Sequence, residues 1–340
     1  MGELLEALRI DGPLDAVLVA ARDAFDAAVQ TQGATAPNPP VGCAVLDAEG
    51  RVLAIASHAG AGQPHAEAAA IAQVRAKGLA TRIDTLFVTL EPCNHTGRTP
   101  PCVEAILATP ARRVLIGAAD PNPVAAGGAA ALRKAGLDVR FLEDVPGGAP
   151  LAAASRRLIA PFAKRVTAGL PWVTVKRALD AKGSMIPPPG AKTFTSEPSL
   201  SLAHALRRRA DAVLTGVDTI LADDPLFTVR RVSDHPGKRR TIVVMDRQGR
   251  LSGAYIAAAA QRGLDVRAET GLSTALRRLG DEGVLEVLVE AGPNLSTAIL
   301  ASDLWDESIT IHADEEGDRV ERAYRVGEQA WEEADVLRHR

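Results

Sequence analysis

Four residues carry the densest chemistry in this chain: His65, Glu67, Cys93 and Cys102. Only three cysteines occur in 340 residues, and two of them share the stretch LEPCNHTGRTPPC (90–102). That stretch is too polar to be core. One imidazole and two thiolates form a ligand set for Zn2+, which in catalytic sites takes three protein ligands and leaves the fourth position to water. Two thiolates favour zinc over other divalent ions. Glu67 stands two residues beyond His65, close enough to reach a metal-bound water without binding the metal. Zinc lowers the pKa of such a water to about 7, and a neighbouring carboxylate can take its proton.

These side chains can converge only if the right elements carry them. Pro64 opens and Gly78 closes an expected helix over 64–78, with His65 in its first turn. A second helix, of about two turns, is expected from Pro100 and Pro101, with Cys102 in its first turn. A strand over 84–90 precedes the loop that holds Cys93. Helix N-termini carry partial positive charge, which favours thiolates. A helix at 14–32, a hairpin over 41–57, a strand at 112–117, a helix near 125–136 and a strand at 138–142 complete a layered α/β pattern. Cys43 falls mid-strand and reads as core. The order H-x-E, P-C, second cysteine is that of zinc nucleobase deaminases, where the carboxylate passes the water's proton to a ring nitrogen and then to departing ammonia.

A break at VPGGAP (145–150) precedes a linking helix over 152–171 that Pro161 interrupts. A second α/β pattern begins at Trp172, with strands expected at 172–178, 211–216, 241–246, 285–292 and 307–313. The expected domains are therefore 1–146, a linker at 147–171, 172–312, and a tail at 313–340. About half of the tail is charged, and it reads as an exposed helix or disordered.

Composition excludes several classes. Net charge is −3 and the pI about 6.2, which leaves no footprint for nucleic-acid binding. Three cysteines do not make a disulfide framework, which fits a reducing cytoplasm. The N-terminus lacks the apolar region of a secretory signal, and Glu6 stands where a myristoylation motif needs Ser or Thr. No apolar run reaches membrane-spanning length.

The first half resembles the deaminase domain of the bifunctional riboflavin-biosynthesis deaminase–reductases. The resemblance rests on APNPPVGC (36–43), HAGAGQPHAE (58–67), LEPCNHTGRTPPC (90–102) and DPNP (120–123). The spacing between the cysteines is the family's, where the wider superfamily more often has two residues. The resemblance implies a cytidine-deaminase-like three-layer α/β/α domain acting on a phosphoribosylaminopyrimidine. By the same resemblance, Asn38 would hydrogen-bond the pyrimidine. His58, His95 and Arg98 would line the ribose-phosphate path, and Asp120 and Asn122 would contact the ribose. Arg98 keeps the charge where the family often has lysine.

The region from Trp172 to about His312 resembles the family's dihydrofolate-reductase-like α/β domain, most clearly in DAVLTGVDTILADDPLFTVR (211–230) and VEAGPNL (289–295). That implies NADPH-dependent reduction of ribosyl to ribityl. Lys176, Thr215, Gly216 and Thr219 would belong to the cofactor or substrate surface, with Asp224, Glu290 and Gly292 facing the reacting groups. There are departures. DAKG (180–183) replaces the family's Ser-Leu-Asp-Gly run, and Thr193 and Leu200 stand where tryptophan and arginine are common. After His312 the charged tail replaces the strands expected to complete the sheet and support a homo-oligomer. An impaired or repurposed reductase half is therefore one alternative. An RNA-base deaminase is another, opposed by the acidic pI. A structural zinc module is a third, opposed by the count of three ligands.

Overall fold

The structure, a computed structural model, describes residues 13–95, 100–191, 193–314 and 317–325. The chain divides into two compact units between Thr167 and Ala168.

The first unit contains, in chain order, α1 (Pro13–Gln30), β1 (Gly42–Leu46), β2 (Val52–Ser57), α2 (Ala66–Ala76), β3 (Thr85–Val88), α3 (Cys102–Leu107), β4 (Arg113–Ile116), α4 (Gly128–Lys134), β5 (Asp138–Phe141), α5 (Ala149–Leu158) and α6 (Ala160–Ala168). Its sheet has the order β2-β1-β3-β4-β5. β1 is antiparallel to both β2 and β3, and β3, β4 and β5 run parallel. The middle strands are covered on both faces, so they read as continuous apolar runs. Alternation then sorts their side chains. Cys43, Val45, Leu86, Val88, Val114 and Ile116 pack with residues of α2, α3 and α4. Ala44, Leu46, Phe87 and Leu115 pack with α1 and α5 on the opposite face. The result is three layers. Cys43 is fully buried, and burial pushes its thiol pKa well up.

Two glycines set close approaches here. A Cβ on Gly42 would stand 1.9 Å from the Ala24 carbonyl oxygen, so α1 lies directly on β1. A Cβ on Gly128 would stand 1.8 Å from the Pro92 carbonyl oxygen, one residue before Cys93.

The second unit contains β6 (Trp172–Leu179), α7 (Glu197–Arg209), β7 (Ala212–Gly216), α8 (Val217–Asp223), β8 (Arg240–Met245), α9 (Gly253–Gln261), β9 (Leu264–Glu269), α10 (Leu272–Asp281), β10 (Glu286–Val289), α11 (Pro293–Leu300), β11 (Glu307–His312) and β12 (Arg319–Tyr324). The sheet order is β12-β11-β6-β10-β7-β8-β9, parallel except at the β11–β12 edge. The buried runs of β6, β7, β8 and β10 supply its core.

Three features differ from the sequence reading. The linking segment is two helices separated at Ile159, and Leu151, Ala152, Ala154 and Leu158 of α5 pack into the core of the first unit. β9 was not expected, because its alternation of Leu264, Val266 and Ala268 with charges is short. Part of the charged tail is neither helix nor disordered. Residues Arg319–Tyr324 form β12, because Val320 packs beside Leu206 and Ile309 and the Tyr324 hydroxyl donates to Glu307 at 3.4 Å. Among the described residues no helix is long and apolar enough to cross a membrane.

Candidate active sites

His65 caps α2 in extended backbone, and Cys102 is the first residue of α3. Cys93 lies on the loop after β3. The His65 Nδ1 stands 3.6 Å from Cys93 Sγ and 3.3 Å from Cys102 Sγ, and the three ligand atoms lie within 4.8 Å of one another. Zinc bonded to sulfur at about 2.3 Å and to nitrogen at about 2.0 Å sets a tetrahedral N–S edge of about 3.5 Å. The residues therefore fit the ion. The Cys102 backbone N–H also points at Cys93 Sγ, at 3.4 Å.

The electrostatics show two sulfurs competing for one proton. A hydrogen bond from Cys102, aided by His65, pulls the Cys93 thiol well down. The same contact, with burial and the Glu67 charge, pushes Cys102 up. A divalent cation held by these residues would resolve this, because both sulfurs would bind it as thiolates. Glu67 is 3% exposed, and burial raises its carboxyl pKa above the ordinary range.

A cavity of about 220 Å³ opens on this cluster. Asn38, His58, His95, Asp120 and Asn122 line it together with His65, Glu67 and Cys93. His58 has a definite tautomer. Its Nδ1 lies 3.0 Å from the Pro64 carbonyl oxygen and must donate there, so its Nε2 accepts from the Asn38 amide at 3.2 Å. Burial lowers the His58 pKa, which keeps the ring neutral. Thus His58 orients Asn38. The turn after β4 is held internally: Asp120 Oδ1 accepts from Asn122 N and Asn122 Oδ1 from Val124 N. Burial, then the charges of Glu91 and Cys93, raise the Asp120 pKa against the hydrogen bond from Asn122. His95 Nδ1 is buried without a hydrogen-bond partner among the described residues. Arg98 lies outside the described residues.

Glu91 was missed by the sequence reading. Its buried carboxylate accepts three backbone N–H groups, from Asp120 at 3.1 Å, Gly127 at 3.2 Å and Ala129 at 2.9 Å. It joins the Cys93 loop to the 120–127 turn and the start of α4. Its place directly before Pro92 and Cys93 was the available signal.

In the second unit, Thr215 and Gly216 at the end of β7 and Glu290 just past β10 lie at the carboxyl ends of neighbouring parallel strands, and Lys176, midway along the adjacent β6, lies beside Glu290. Open α/β sheets bind ligands at such ends. Glu290 is held bidentately by Arg207, at 2.6 and 3.1 Å, with Lys176 at 3.5 Å. Burial would raise its pKa, but Arg207 and Lys176 overcome that and hold it low. The Thr219 hydroxyl accepts from Gly292 N at 3.1 Å. Thr215 Oγ1 is buried without a hydrogen-bond partner among the described residues. Neither Gly216 nor Gly292 has a positive φ, and a Cβ at either would meet its nearest neighbour at 3.6 Å, an ordinary contact. Asp224 is not brought into the cluster. It ends α8 with an exposed side chain and a φ of 42°. Arg207 and His204 were not singled out in the sequence. Their three-residue spacing on α7 puts them on one helix face.

Comparison with known proteins decides the family. Residues 19–118 match the model described as the cytidine and deoxycytidylate deaminase zinc-binding region, and residues 171–313 match the RibD C-terminal domain. The riboflavin biosynthesis protein RibD of Aquifex aeolicus is 34% identical over 85% of this chain and 85% of its own length. The chain belongs to the RibD family. The Mycobacterium tuberculosis RibD is 36% identical over 82% of this chain and 79% of its own. Among solved structures, Acinetobacter baumannii RibD superposes with a TM-score of 0.72 at 32% identity, covering 88% of this chain and 87% of that one. The Thermotoga maritima diaminohydroxyphosphoribosylaminopyrimidine deaminase/5-amino-6-(5-phosphoribosylamino)uracil reductase reaches 0.76 at 30% identity, covering 86% and 85%. Within this RibD-family chain the zinc-binding deaminase region lies in the first unit and the reductase domain in the second.

Proposed function

We propose that this RibD-family enzyme deaminates a diaminohydroxy-phosphoribosylaminopyrimidine in its first unit and reduces the ribosyl group of the product in its second. The observation that carries the first half is the convergence of His65, Cys93 and Cys102 beside the buried carboxylate of Glu67. Bound by those three ligands, zinc would acidify a water for attack on the amine-bearing ring carbon. Glu67 would pass one proton of that water to the ring nitrogen and the second, from the resulting hydroxyl, to the departing amino group, which leaves as ammonia. Asn38, oriented by His58, binds the pyrimidine edge. His95 and Arg98 serve the ribose phosphate, and Asp120 and Asn122 the ribose. Glu91 accepts the backbone N–H of Asp120 and positions the turn that carries the last two.

In the second unit NADPH would supply the hydride. Lys176, Thr215, Gly216, Thr219, Glu290 and Gly292 form the surface that receives cofactor and sugar, with Arg207 holding Glu290 ionised. The exposed position of Asp224 suits contact with a bound molecule at the rim rather than with the reacting carbon. The reading as a deaminase alone is separated by one assay. The diamino substrate is supplied to the protein with and without NADPH, and ammonia release and cofactor oxidation are followed apart. Both signals are expected. Ammonia without cofactor oxidation would reduce the proposal to its first half.

The role of Glu67 has its own test. The Glu67→Gln protein is expected to keep its zinc and to lose ammonia release by about 10²- to 10⁴-fold. Full turnover in that variant would remove Glu67 from the mechanism.

A further inference from the structure

The deaminase cavity has a wall that no motif of the first hundred residues supplies. Phe162 and Arg165 of α6 both line it. They are three residues apart and so share a helix face. Phe162 is buried and fixes that face. The Nε of Arg165 is also buried, yet it has no hydrogen-bond partner among the described residues. A buried guanidinium N–H without an acceptor is costly. The carboxylates of the cavity do not relieve it. Glu91 is occupied by three backbone N–H groups, and Asp120 accepts from Asn122. Arg165 is also the only Lys or Arg among the described residues lining the cavity, whose other ionisable groups are histidines, a cysteine and three carboxylates. As described, the cavity therefore leans acidic, whereas the substrate class proposed above carries a phosphate monoester.

We infer that Arg165 is a specificity-determining residue of the deaminase site, donating to the phosphate of the phosphoribosyl group. This rests on the deaminase reading above. A guanidinium suits the task, because its planar fork donates two parallel hydrogen bonds to phosphate oxygens and cannot deprotonate. It also explains why α5 and α6 belong to the first unit. The second of these helices completes the substrate cavity that the zinc motifs begin.

The test uses the full-length, zinc-loaded protein and two substrates: the phosphoribosylaminopyrimidine, and the same molecule without its phosphate. For Arg165→Ala, KM for the phosphorylated substrate is expected to rise roughly 10- to 100-fold with kcat nearly unchanged. KM for the dephosphorylated substrate is expected to match the wild type. Arg165→Lys should recover part of the loss. Equal losses on both substrates would assign Arg165 to the base or to folding, and no loss on either would remove it from the site. Calorimetric titration with ribose 5-phosphate reads the anion site without turnover. Wild type is expected to show one more binding site than Arg165→Ala, and superimposable isotherms would overturn the assignment. Ribose 5-phosphate binding that depends on Arg165, in a wild-type protein that releases no ammonia, would sink the deaminase reading and leave the anion site standing.

Discussion

At the scale of single residues, the first unit depends on carboxylates whose surroundings differ. Glu67 is buried beside the ligand cluster, and its raised pKa suits a group that must accept and return a proton. Glu91, two residues before the ligand Cys93, is spent wholly on backbone N–H groups. Replacing it with glutamine removes the charge and turns one acceptor oxygen into a donor facing other donors. Glu91→Gln is expected to cost about 1–3 kcal/mol in urea unfolding and to raise KM for the deaminase substrate, with less effect on kcat. An unchanged denaturation midpoint would show that the three hydrogen bonds contribute nothing net. The ligand set and Glu67 were legible in the sequence because zinc chemistry restricts residue type and spacing. Arg165 was not, since an arginine that finds a cavity leaves no pattern in one sequence, and Glu91 was marked only by its place directly before Pro92 and Cys93. The tautomer of His58 was also invisible there, because it depends on which carbonyl its Nδ1 meets.

At the scale of elements, Gly128 shows how a helix sets the position of a ligand loop. The first turn of α4 presses on the Pro92 carbonyl, so a methyl group there must displace the chain next to Cys93. Gly128→Ala is expected to destabilise the protein by about 1–3 kcal/mol and to lower zinc content measured by metal analysis. Zinc at full occupancy would show that the loop can shift freely. A different sensitivity belongs to α7. His204 Nδ1 accepts the Arg230 backbone N–H at 2.9 Å, which requires a neutral ring. Burial, then the Arg207 and Arg230 charges, lower its pKa from 6.5 to about 4. The unfolded chain therefore binds a proton before the folded one does. This stability is complete above pH 6.5 and is lost as pH falls from 6.5 towards 4. Urea midpoints should decline across that window, and His204→Asn should flatten the slope. Most elements were readable from period and punctuation, as in the hairpin around Gly50 and the Pro64-to-Gly78 helix. β9 and β12 were not. Each lies at a sheet edge, and their charged residues mask the alternation.

At the scale of the whole molecule, the metal ligands and the Lys176–Glu290–Arg207 cluster belong to different units. Chelation should therefore separate the two activities. After dialysis against a strong chelator, ammonia release is expected to vanish and to return with added zinc. NADPH oxidation with the deaminated substrate should stay near its starting rate. Loss of both together would mean that the second unit depends on the metal. The break at VPGGAP does not mark the division between the units, which falls between Thr167 and Ala168, because α5 packs into the core of the first unit. Helical periodicity shows that a face is apolar without showing which core receives it.

The strand order of the second unit also bears on how the chain is made. β6, the first strand of that unit to leave the ribosome, pairs only with β10 and β11, which are among the last. Val173 and Val175 must wait, unpaired, while nearly the whole unit is synthesised. The first unit completes its own sheet long before that, so a nascent chain carries a finished fold followed by sticky, half-made strands. Slowed translation or chaperone shortage should therefore trap this protein with its first unit native and its second aggregated.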